Sequence, residues 1–166
     1  MELQQQGSER WMCLPTAFAM ALATPVADLL AAIGHDGSEI VFPNLPEPLC
    51  RRCFHIQELI QVALARGFAV TPVELFPVLQ PTEAGPHKTV LYPDNNWRRF
   101  EETIRATRGV IDGTGARFGH TVAYDHGRIL DPKGSVYDYS RLACEAHQFY
   151  TRCAWRIDPV GERIRE

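Results

Sequence analysis

"GHTVAYDHGRILDPKG", residues 119–134, reads as a β-hairpin whose register bears on both the fold class and the chemistry. His126-Gly127 forms a two-residue connection, with glycine supplying the positive φ that such turns need. In that register Asp131 lies opposite Val122. Side chains alternate across a strand, so Val122 and His120 share a face. Asp131 then becomes the diagonal neighbour of His120 at about 7–8 Å or less between Cβ atoms, within reach of a hydrogen bond between their tips.

Strand signals surround this hairpin. After Gly67 the segments "FAVTPVEL", "KTVLY", "GVIDG" and "QFYTRCAWRI" carry the patterning of strands, with one helix expected at "NWRRFEETIRAT". Phe149, Thr151, Cys153, Trp155 and Ile157 alternate with Tyr150, Arg152, Ala154 and Arg156, as a half-buried strand would. On this pattern Cys153 reads as core.

The first half has a different period. In "ERWMCLPTAFAMAL", residues 9–22, Leu14, Ala17, Phe18, Ala21 and Leu22 recur at helical spacing and the other faces are apolar too, which predicts a central, buried helix from residue 13. Thr24 and Pro25 signal the start of a second, short helix that stops at Gly34. Ile56, Leu59, Ile60, Ala63 and Leu64 give a third, amphipathic helix closed by Gly67. Between them "VFPNLPEPLCRRCF", residues 41–54, holds three prolines and two cysteines and reads as an ordered surface loop or lid. Helices first and strands after predict an α+β domain over 1–166, a helical half packed on a mostly antiparallel sheet.

Composition limits the function. The chain has 166 residues, 45% hydrophobic and 22% charged, enough to bury a core without metals or disulfides. Its net charge of −3 arises from interspersed acids and bases, with no basic stripe of the kind nucleic acid or an anionic membrane requires. No basic segment precedes an apolar core at the N-terminus, and no apolar run approaches about 20 residues, so neither a signal peptide nor membrane insertion is expected and the setting reads as cytoplasmic. The five cysteines then read as free thiols, metal ligands or a nucleophile.

Cys13 opens the buried helix, where unsatisfied amides and the macrodipole favour a thiolate. An imidazole within reach would hold its proton and later pass it to a leaving amine, while a carboxylate behind the ring fixes its orientation. Cys13, His120 and Asp131 suit these roles. The Cys13 amide and a side-chain amide from Gln4, Gln5 or Gln6 would stabilise the oxyanion.

A glutamine, then Cys-x-Pro-Thr-Ala opening a small-residue helix, with Gly-His-apolar-apolar and Asp-Pro-x-Gly downstream, resembles the papain-like cysteine peptidases of the double-glycine leader-peptidase group. These are best known as N-terminal domains of bacteriocin exporters, and stand-alone relatives occur. The resemblance runs from "QQQGSERWMCLPTA" to "GHTVAYDHGRILDPKG". It departs from the family pattern at Leu14, where glycine usually follows the cysteine, and at Gly7, where the family has its glutamine. It implies a papain-like fold and a thiol hydrolase cleaving a peptide or isopeptide bond in a peptide or protein substrate, without a cofactor. Cys13 would be the nucleophile, His120 the base and acid, Asp131 the orienting carboxylate, and Gln6 or Gln5 the oxyanion donor.

Other readings remain open. The same triad would serve a deamidase or acyltransferase. Cys50-x2-Cys53 and Cys144-x2-His147 have the spacing of zinc ligands, which would instead suit a stapled protein-binding module. His126 reads as a turn residue, His35 and His87 as loop residues, and His55 as a first-turn residue of the third helix.

Overall fold

The computed structural model describes residues 1–73, 78–81, 88–91 and 94–160, the side chains of 78–81, 88–91, 94 and 95 excepted. A 3₁₀ turn, Arg10–Met12, runs into α1 (Cys13–Ala21). α2 (Val26–Ile33) and α3 (Ile56–Ala65) follow. Then come β1 (Phe68–Val73), β2 (Val78–Pro81), β3 (Lys88–Leu91) and α4 (Asp94–Ala106). β4 (Arg108–Thr114), β5 (Gly119–Asp125), β6 (Arg128–Leu130) and β7 (Val136–Asp138) lead to α5 (Arg141–Ala146) and β8 (Tyr150–Pro159). The fold is α+β. Its main sheet has the order β1-β8-β4-β5-β6-β7 with antiparallel pairing throughout, and β2 and β3 pair separately.

The three N-terminal helices form as expected. In α1, Ala17, Phe18 and Ala19 are wholly buried, which explains why apolar residues occupy every side of that helix. Gly34 closes α2 in the left-handed region at φ 89°, its amide donating to the Leu30 carbonyl. The start of α2 differs from expectation. Thr24 does not cap it: its hydroxyl accepts from Arg66, and the orphan Val26 amide donates to Gln4 Oε1 instead. Residues 74 and 75 of "FAVTPVEL", Tyr92 of "KTVLY" and His87 lie outside the described residues.

The sheet is covered on both faces, where one helical layer was expected. Val110, Ala123, Leu130 and Ile157 pack with α1, α2 and α3. Ile111, Val122, Tyr124 and Ile129 pack on the opposite face with Phe100 and Ile104 of α4 and with Cys144 of α5. Alternation along β4 and β5 therefore feeds apolar residues to two cores, so these strands read as continuous hydrophobic runs.

The strand read over 148–157 also departs from simple alternation. The β4–β8 register shifts between Asp112 and Gly113: Asp112 pairs with Cys153 and Gly113 with Thr151, leaving Arg152 as the extra residue of a bulge. The bulge reverses the parity of β8. Phe149 and Ala154 enter the α4 side, whereas Ile157 and Trp155 enter the α1 side, and Cys153 is half-buried instead of core.

No single helix among the described residues is long and apolar enough to cross a membrane.

Candidate functional site

α1 packs along β5, and its first residue, Cys13, meets His120 near the start of that strand. Cys13 is 8% exposed. Pro15 sits in the first turn, where its missing N–H leaves no helical hydrogen bond unmade and its fixed φ suits the helix.

The hairpin adopts the expected register: Ala123 pairs with Leu130 and Asp125 with Arg128 across His126-Gly127, both at positive φ. His120 and Asp131 are each 5% exposed, and Nε2 of the ring lies 2.8 Å from Asp131 Oδ1. Nδ1 is the ring nitrogen left to the thiol. The Lys133 amide donates to the same Oδ1 at 2.8 Å, so Asp131 both starts the "DPKG" turn and holds the imidazole. The ring of Phe149 meets the imidazole edge-on, centroids 5.9 Å apart. Gly113 makes that approach possible: a Cβ there would fall 2.3 Å from the Tyr150 carbonyl oxygen and 2.7 Å from the Phe149 ring.

Burial opposes charge on His120, but hydrogen bonds to Asp131 and then to the Cys13 thiol outweigh it and raise its pKa from 6.5 to about 9. Burial alone would raise Asp131. The imidazole's hydrogen bond and charge, and then the Lys133 amide, hold that carboxyl below its ordinary value. An ionised carboxylate accepts, so His120 Nε2 donates.

The three glutamines are placed differently. Gln4 is a staple, its Nε2 donating to the Thr24 carbonyl and its Oε1 accepting from the Val26 amide. Gln5 is exposed and lies against Gly134. Gln6, tied by its backbone amide to the Pro132 carbonyl, lines a cleft of about 260 Å³ together with His120. Its amide oxygen is buried without a hydrogen-bond partner. Of the three glutamines, Gln6 alone lines the cleft with His120.

The zinc candidates do not converge: among the described residues no three His, Cys, Asp or Glu side chains are placed to share an ion. Cys50 and Cys53 belong to the proline-rich loop, which the Ile40–Arg51 bridge orders and whose Arg51 guanidinium lies over the Trp11 ring, 5.1 Å from its centroid. Burial, and then the thiols of Cys13 and Cys50, push Cys53 up. Cys144 lies in the core of the other face, where burial pushes it up to about 11, and His147 stacks on Tyr137 with centroids 4.0 Å apart.

The remaining described histidines have local partners. His35 Nε2 lies 3.0 Å from Glu58 Oε1, His126 Nδ1 lies 2.8 Å from Asp125 Oδ1, and the His55 amide donates to Glu58 at the start of α3. Asp112 is engaged by Arg152 and Thr121. Sequence reading missed Phe149 and the cleft residues Arg10, Arg117, Phe118 and Lys133. Two of them, Arg117 and Phe118, stand just before Gly119-His120, a signal available in the sequence.

No protein-family model matches this chain, and no curated protein matches it in sequence.

Proposed function

We propose that this protein is a papain-like thiol hydrolase that cleaves a peptide or isopeptide bond with Cys13, His120 and Asp131. The observation that carries the reading is the buried imidazole of His120, 2.8 Å from Asp131 Oδ1 on one side and near enough to the Cys13 thiol at the start of α1 for the two to interact electrostatically. Such an arrangement lets the imidazole take the proton of the thiol as the nucleophile forms, with the Asp131 carboxylate stabilising the imidazolium.

The thiolate attacks the substrate carbonyl, and the oxyanion takes hydrogen bonds from the Cys13 amide and the Gln6 side chain. His120 passes its proton to the departing amine, leaving a thioester. The neutral imidazole then takes a proton from water as it attacks, releasing the acid and the free thiol. Asp131 stays ionised and keeps Nε2 occupied, so Nδ1 carries both transfers.

Alkylation tests the reading. Iodoacetamide should label Cys13 faster than the half-buried Cys153 near neutral pH, although Cys13 is the more buried thiol. Cys13→Ala should abolish turnover of a peptide library while leaving the fold within about 1 kcal/mol. Slower labelling of Cys13, or turnover by the alanine variant at the wild-type rate, would refute it.

A further inference from the structure

The cleft beside His120 is cationic in a chain whose net charge is −3. Arg10, Arg117 and Lys133 all line it, no carboxylate does, and none of the three forms an ion pair with a described residue. They come from three segments, the 3₁₀ turn, the β4–β5 connection and the turn after Asp131. A Cβ on Gly115 would lie 3.7 Å from Lys133 Nζ and 3.6 Å from His120 Cβ, so both residues border that glycine at the cleft. Arg10 lies over the Phe118 ring, 5.8 Å from its centroid, adding an apolar wall next to a guanidinium. Although the Lys133 charge also acts on Asp131, three cations converging on a concave site raise the local concentration of anions and select for them.

Cys13 is not among the lining residues, whereas His120 and Gln6 are. The group that protonates the leaving amine therefore faces this cleft, which places here the part of the substrate that departs with the amine. We propose that the cleft binds a carboxylate on the leaving-group side of the scissile bond, within the first two residues after it. The source is an Asp or Glu side chain or the free C-terminus of the substrate. This specificity rests on the thiol-hydrolase reading.

Two measurements separate the proposal from that reading. The first compares iodoacetate with iodoacetamide at Cys13, in the wild type and in the triple variant Arg10→Gln, Arg117→Gln, Lys133→Gln. Iodoacetamide alone reports the activated thiol. The iodoacetate-to-iodoacetamide rate ratio reports the charge of the cleft, and should fall on the order of tenfold in the variant at low ionic strength, with the difference shrinking in about 0.5 M salt. An equal ratio in both proteins, with rapid iodoacetamide labelling of each, would overturn the proposal and leave the hydrolase intact.

The second is digestion of a peptide library, with newly formed N-termini read by mass spectrometry. Asp or Glu should be enriched at the first or second position after the cut, or cleavage should favour free-acid peptides over their C-terminal amides, and the variant should lose whichever preference is found. Cleavage indifferent to both carboxylates, or a preference the variant retains, would refute the proposal. Slow labelling of Cys13 together with no cleavage would refute the hydrolase reading itself.

Discussion

Asp131 serves His120 and its own turn through one oxygen: Oδ1 accepts from the imidazole Nε2 and from the Lys133 amide, each at 2.8 Å. Asparagine can keep the turn through its own Oδ1 but removes the charge that stabilises the imidazolium. Asp131→Asn should therefore lower kcat/KM on the order of ten- to a hundredfold, about 1.4–2.7 kcal/mol of transition-state stabilisation, with little change in Tm. Asp131→Ala leaves a buried ring N–H and a backbone amide without their acceptor, and should also cost about 1–3 kcal/mol of stability. Unchanged kinetics in the alanine variant would remove Asp131 from the mechanism.

The alkaline side of the pH profile should report His120. Protonation of the leaving amine needs the imidazolium, so kcat/KM should fall as pH rises through about 9. Asp131 supplies the largest of the interactions that raise this group, so the fall should move to lower pH in Asp131→Ala. Stability carries the same signature. A folded-state value above the ordinary 6.5 means that the contribution of His120 is fully present below pH 6.5 and is lost as pH climbs towards 9. A wild-type rate still increasing beyond pH 9 would contradict the imidazolium as the proton donor.

Gly113 has a clear steric role. Its Cβ would meet the Tyr150 carbonyl oxygen at 2.3 Å, a contact with backbone that cannot rotate away, beside the bulge that seats Phe149 against His120. Gly113→Ala should cost about 1–3 kcal/mol through overpacking, measured as a lowered denaturant midpoint. It should also lower kcat, since Phe149 would shift from the imidazole edge. A neutral result in both would show that β4 and β8 separate without consequence at His120.

The hairpin was legible because His126-Gly127 fixes a two-residue turn, and parity then brings Asp131 to His120 with no further information. The bulge at Arg152 was not. An extra residue leaves no mark in the alternation of "YTRCAWRI", and it moved Phe149 and Ile157 to opposite faces. α5 escaped notice because its six residues are too few for a periodic signal, although Ser140 does cap it by accepting from the Ala143 amide. Of the cationic cleft only the nearness of Arg117 and Phe118 to His120 was open to reading; its convergence was not. Arg10, Arg117 and Lys133 are distant in the chain, and the charge balance around each is unremarkable until the fold gathers them.

The run Gln4-Gln5-Gln6 provides a test in which neighbouring residues of one chemistry should behave in three ways. Gln6 lines the cleft with His120 and has an amide oxygen without a partner, so its side chain contributes to the site more than to the fold. Removing an oxyanion donor typically lowers kcat by about 10²–10³, or about 2.7–4 kcal/mol, and Gln6→Ala should fall in that range with Tm preserved. Gln4 bonds Thr24 and Val26 at the start of α2, so Gln4→Ala should lower Tm by removing two hydrogen bonds, about 1 kcal/mol each, and leave kcat close to the wild type. Gln5 is exposed, and Gln5→Ala should leave both quantities unchanged. Measured side by side, kcat and Tm should thus separate the three variants. A large kcat loss in Gln5→Ala with none in Gln6→Ala would move the oxyanion role to Gln5, and a Gln6→Ala enzyme with wild-type kcat would leave the Cys13 amide as the only donor among those named.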